Sequence, residues 1–75
     1  MVDAEKIVEI VSSTGVVDDM SKFDADKSFK ENGIDSLDVF TVFLAVEEQL
    51  GVKFSEEDST SVKSVSAMVD LLNSR

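Results

Sequence analysis

The chain has no cysteine, no histidine and no proline among its 75 residues, only three glycines, and only seven basic residues against 16 acidic ones. Without cysteine there can be no disulfide and no thiolate metal site, which fits a reducing cytosol. Without histidine or cysteine, the commonest general base and the most reactive nucleophile are both missing, so a catalytic serine would have nothing obvious to take its proton. The shortage of Lys and Arg, with a net charge of -9, excludes nucleic acid and anionic membrane surfaces as partners and favours basic protein surfaces. No apolar run is long enough to span a bilayer, and Met1-Val2-Asp3-Ala4-Glu5-Lys6 lacks the basic-then-apolar order of a signal peptide. These absences predict a cytoplasmic protein with no membrane insertion.

What is present is a hydrophobic fraction of 43%, too high for a disordered acidic tail. A chain this short makes one small domain, residues 1–75, with a core that only just offsets chain entropy. No proline interrupts it, no stretch alternates as a strand would, and the apolar spacing is helical. Ala4, Ile7, Val8 and Val11 fall at i, i+3, i+4 and i+7 behind Asp3 as N-cap, with Gly15 as a stop. Residues 16–35 keep no period and read as a long loop pinned by Met20, Phe23, Phe29 and Ile34; loops of this length are usually functional when ordered. A second helix spans residues 36–50 before Gly51. After the link Val52-Lys53-Phe54, Ser55 opens a short third helix with a capping box, and Ser64 caps a fourth carrying Val65, Met68, Val69 and Leu72. The predicted fold is all-α, a small four-helix bundle with a short third helix and a long loop between helices one and two.

Helix two carries two apolar stripes. Val39, Val42, Phe43, Val46 and Leu50 make an ordinary core face. Leu37, Phe40 and Leu44 lie well over a quarter-turn away, bordered by Glu47 and Glu48, and are either covered by the loop or left to touch another molecule. At the start of this helix, Gly33-Ile34-Asp35-Ser36-Leu37-Asp38 places one hydroxyl where free backbone N–H groups and the positive end of the helix dipole would hold a phosphoryl group. Asp35 or Ser36 as a mere helix cap is the commoner explanation of such a dipeptide. With no base available, Ser36 reads as an attachment point on which another protein acts.

The hexapeptide resembles the Gly-x-Asp-Ser-Leu signature of acyl carrier proteins, and the resemblance extends over the whole chain through Phe29, Ala45-Val46-Glu47-Glu48, Gly51-Val52-Lys53-Phe54 and Ser64-Val65. The resemblance implies a non-enzymatic carrier in which Ser36 bears a covalent 4′-phosphopantetheine arm, installed by a phosphopantetheinyl transferase. Acyl intermediates of fatty-acid, lipid or polyketide-type biosynthesis would ride on it as thioesters. It also implies a partner surface made of Asp35, Leu37, Asp38, Phe40, Thr41, Leu44, Glu47 and Glu48, meeting the basic patches of acyl-ligase, synthase or acyltransferase enzymes. Its length and a native-looking Met1 suggest a free-standing, monomeric carrier.

Departures from the family pattern point to a specialised role. Thr41 stands where carriers of primary fatty-acid synthesis usually have Glu, Phe40 is bulkier than the usual Val or Ile, Asn32 replaces a Leu, and Phe29 lies one residue closer to the serine. Any acyl pocket between the helices would be lined by Phe43, Val46, Phe54 and Met68, although an ordinary filled core is the better description of these residues in the unloaded protein. Other readings stay open. An aminoacyl or peptidyl carrier differs mainly in cargo, and an acidic interaction module would leave Ser36 unmodified. A serine hydrolase lacks its base. Asp24, Asp26, Ser28, Lys30, Asn32 and Asp35 match EF-hand spacing, but with Phe29 where the loop needs Gly and no entering helix, so no metal site is expected.

Overall fold

The computed structural model describes residues 2–74; Met1, whose native look bore on the free-standing reading, lies outside them. The described residues form α1 (Ala4–Thr14), one 3-10 turn (Met20–Lys22), α2 (Ser36–Leu50), α3 (Glu56–Ser61) and α4 (Val65–Asn73), with no strand among them. The molecule measures 31 × 22 × 21 Å, and α1 packs against both α2 and α4.

Each helix starts where a short polar side chain can accept an otherwise unpaired backbone N–H. Asp3 accepts from Lys6 N at 2.9 Å, Asp35 from Asp38 N at 2.9 Å and Ser64 from Ala67 N at 3.1 Å. At α3 the box is reciprocal: Ser55 Oγ takes the Asp58 N–H at 3.1 Å and Asp58 Oδ2 takes the Ser55 N–H at 3.0 Å. This box compensates for a helix that has no buried residue of its own. Gly51 ends α2 at φ 67, where its N–H donates to the Glu47 carbonyl, a left-handed turn that a residue with a Cβ adopts only at a cost.

One core joins three of the helices to the connecting segments: Ile7, Ile10 and Val11 from α1, Val42, Phe43 and Val46 from α2, Val65, Met68 and Leu72 from α4, with Phe29 and Ile34 from the loop and Val62 from just beyond α3. Burying each such side chain stabilises by about 1.5–3 kcal/mol. Phe43 is the hub of the aromatic contacts, edge-on to Phe29 at 6.3 Å and to Phe54 at 5.0 Å between ring centroids. It thereby ties α2 to the loop before it and the link after it.

The loop is more ordered than its lack of period suggests. Of its anchors, Phe29 and Ile34 are buried, and Met20 and Phe23 pack half-buried against the core. Asp19 caps the 3-10 turn by accepting from Ser21 N at 3.0 Å. Ser28-Phe29-Lys30-Glu31 forms a second reciprocal box: Glu31 Oε1 takes the Ser28 N–H and Ser28 Oγ takes the Glu31 N–H, both at 3.0 Å. Ser28 pairs with Ser64 in an isolated antiparallel bridge, the Phe29 N–H donates to the Lys63 carbonyl at 2.7 Å, and Ser66 Oγ donates to Asp26 Oδ1 at 2.7 Å. These contacts fix the loop's far end beside the start of α4.

Candidate functional site

Ser36 is the first residue of α2 and is exposed. Asp35, not Ser36, is the helix cap, so the serine hydroxyl is left without a hydrogen bond to any described residue. The approach to the helix is set by Gly33, whose φ of 80 lies in the left-handed region and whose N–H donates to the Lys30 carbonyl at 2.9 Å. Ile34 then plugs into the core and turns Asp35 and Ser36 outward. In the first turn of α2, the Asp38 N–H goes to the Asp35 side chain and the Val39 N–H to the Asp35 carbonyl. The N–H groups of Ser36 and Leu37 keep no described partner, and free N–H groups at a helix start favour a nearby anion.

The second stripe of α2 is not covered by the loop. Leu37 is 78% exposed, Phe40 59% and Leu44 48%. They run along α2 from the serine as a surface apolar strip. Asp35, Thr41 and Glu48 are exposed beside it and Asp38 is half-buried. The Thr41 hydroxyl donates to the Leu37 carbonyl at 3.3 Å. Glu47 differs from the other acidic residues of this group: it is half-buried, and its Oε2 accepts the Phe54 N–H at 2.8 Å. It holds the link after Gly51 against α2 as well as adding charge to the rim.

Of the two readings of Phe43, Val46, Phe54 and Met68, pocket lining or filled core, the structure bears out the filled core. Val46 and Met68 are fully buried and Phe54 packs edge-on against Phe43, so those positions are filled core. An open cleft of about 910 Å³ lies instead beside Ser36, between the first half of α2, residues 28–35 of the loop, and the end of α3. Of those four residues only Phe43 lines it; Phe29, Ile34, Val39, Phe40 and Val62 supply the other apolar walls, and Ser59, Thr60, Lys30 and Lys63 are among the polar ones. No periodic signal marks Lys30 or Lys63, because their nearness follows from the Phe29–Lys63 backbone bond across 34 positions.

The residues with EF-hand spacing are used for internal bonding. Asp24 accepts from Asp26 N at 2.9 Å. The Asn32 side chain accepts from Asp24 N at 2.9 Å and donates to the Asp24 carbonyl at 2.8 Å and the Ser28 carbonyl at 3.0 Å. Among the described residues no three acidic side chains converge where they could hold a metal ion. Hydrogen bonds to Ser21, its hydroxyl first and its N–H second, hold the Asp19 carboxyl below its usual range. The Ser28 N–H and hydroxyl, with a lesser contribution from Lys27, do the same for Glu31.

These residues fit a covalent phosphodiester at Ser36: the oxygen is accessible and unengaged, unpaired N–H donors open the same turn of helix, and a cleft large enough for a small acyl group adjoins it. No described helix is long and apolar enough to cross a membrane.

Comparison with known proteins agrees. The family model described as "Phosphopantetheine attachment site" matches residues 5–72. An acyl carrier protein of Solidesulfovibrio magneticus is 34% identical over 96% of this chain and 92% of its own length. "Acyl carrier protein 5, chloroplastic" of Arabidopsis thaliana is 32% identical over 91% of this chain, and "Acyl carrier protein 1, chloroplastic" of Casuarina glauca 31% over 91%. The chain spans about half the length of these two plant relatives, 49% and 50%. On the match over residues 5–72 and the near full-length bacterial relative, this chain belongs to the acyl carrier protein family, whose members bear 4′-phosphopantetheine and do no catalysis of their own.

Proposed function

We infer that Ser36 Oγ is the attachment atom of the 4′-phosphopantetheine arm, and that the protein delivers acyl groups to enzymes of fatty-acid, lipid or polyketide-type synthesis. The observation that carries this reading is the hydroxyl itself: exposed, free of any described hydrogen bond, and set at the first position of a 15-residue helix. When bound, the arm supplies the thiol that a chain without cysteine lacks and carries cargo on it as a thioester.

The chain's own residues bind, orient and present. The Ser36 and Leu37 N–H groups and the α2 dipole favour the negative charge of the diester. Asp35 keeps the serine outside the cap, and Gly33 and Ile34 fix the direction from which α2 begins. Leu37, Phe40 and Leu44 offer partner enzymes an apolar strip, while Asp35, Asp38 and Glu48, with Glu47 in part, steer basic patches toward it. Steering by charge with a small contact area gives fast encounter and fast release, as a shuttle requires. The uncharged Thr41 in the middle of that strip supports service to a dedicated ligase or synthase set.

Incubating the protein with coenzyme A and a broadly acting phosphopantetheinyl transferase should raise its intact mass by one 4′-phosphopantetheine. Ser36→Ala, at an exposed position, should fold normally and stay unmodified. An unmodified wild-type protein, under conditions that load a control carrier, would leave an acidic interaction module as the better reading.

A further inference from the structure

The cleft beside Ser36 has mainly apolar walls, from Ile34, Val39, Phe43 and Val62, yet Lys30 and Lys63 also stand on its lining. The chain has only seven basic residues against 16 acidic ones, and two of the seven line this cleft. Neither lysine forms an ion pair with any described residue. Their meeting at one cleft is built into the backbone, since the Phe29 N–H donates to the Lys63 carbonyl at 2.7 Å and the Ser28–Ser64 bridge sets residues 28–30 alongside 62–64. Asp35 is the one described carboxylate on the lining, and its Oδ1 already accepts the Asp38 N–H.

A cleft of this composition suits a ligand with an apolar body and an anionic end. The geometry points to a preference for acyl groups that terminate in a carboxylate over those that terminate in a methyl group, with Lys30 and Lys63 as the residues that set it. The apolar walls receive the methylene chain, and the two lysines, exposed at the cleft, attract the terminal charge near the protein surface, where the attraction exceeds its value in bulk water. This inference rests on attachment at Ser36, because only a tether rooted there places cargo at this cleft.

The test uses the full chain with the arm installed, confirmed by intact mass, in three forms: unacylated, carrying a hexanoyl group, and carrying a six-carbon group that ends in carboxylate. Both cargoes are joined by an amide in place of the thioester so that they persist. Backbone amide chemical shifts at Lys30, Val62 and Lys63 and the thermal midpoint are measured. The carboxylate-ended form should shift these amides further than the hexanoyl form and melt higher. The difference should fade in about 0.5 M salt and in K30Q/K63Q, and persist in K30R/K63R. Equal shifts for the two cargoes, or an undiminished difference in K30Q/K63Q, would overturn the preference. So would finding the whole set of shifts already in the unacylated form, since the lysines would then be holding the diester of the arm. A wild-type chain that gains no mass overturns the attachment reading and this inference together, and intact mass reads that failure separately.

Discussion

The side-chain amide of Asn32 bonds to Asp24 through both its N–H and its carbonyl and also reaches the Ser28 carbonyl. It stands where the family usually has Leu, and the bonds explain why an amide serves here: they close residues 24–32 on themselves just before the turn into α2. Asn32→Leu restores the family's residue but removes these three hydrogen bonds: the Asp24 N–H loses its acceptor, and the Asp24 and Ser28 carbonyls keep only the backbone N–H groups of Lys27 and Asn32. It should cost about 1–3 kcal/mol, seen as a lower urea midpoint and faster amide exchange over residues 24–32; unchanged stability would mean that packing, not hydrogen bonding, sets the loop. Glu47 shows the same division of labour. Its bond to Phe54 N at 2.8 Å gives it a structural task that Glu48 does not have, although both are acidic residues on one turn of helix.

At the scale of the element, α2 has two apolar faces with opposite fates. Phe43 is 4% exposed and touches two other rings, whereas Phe40, three residues earlier, is 59% exposed. Phe43→Ala should cost about 3–5 kcal/mol, a large part of the roughly 4–11 kcal/mol expected for a chain of this size. Phe40→Ala should stay within about 0.5 kcal/mol of wild type in urea unfolding while raising the KM of the transferase for the protein. Equal destabilisation by both would show that the strip is covered. α3 has no buried side chain and depends on its capping box and on Val62 beyond its end, so it is the helix that the cleft can displace at least expense.

The molecule as a whole carries a net charge of -9 within a body 31 Å long and about 21 Å across. At low ionic strength the Debye length, about 30 Å at 0.01 M, matches the long axis and exceeds the width, and at 0.1 M it falls to about 10 Å. Self-repulsion should therefore be felt across the entire fold in dilute buffer and only locally at higher salt. The thermal midpoint should rise as sodium chloride is raised from about 0.01 to 0.1 M. A flat response in circular dichroism melts would show that the charges are already balanced by their neighbours.

Local chemistry made much of this legible in advance. Asp3, Asp35, Ser55 and Ser64 cap the helices that their spacing announced, and Gly15 and Gly51 end α1 and α2, because a cap or a left-handed stop involves only residues within one turn of each other. The hexapeptide around Ser36 was readable for the same reason. The second box, at Ser28 and Glu31, carried the same signature but lay in a stretch without period. Only the tertiary structure decided that Leu37, Phe40 and Leu44 stay in water, that Val46 and Met68 are filled core, and that the cleft opens beside Ser36 with Lys30 and Lys63 on its lining. Each of these depends on which distant segment packs against which, and the bond joining Phe29 to Lys63 links residues whose proximity no local pattern encodes.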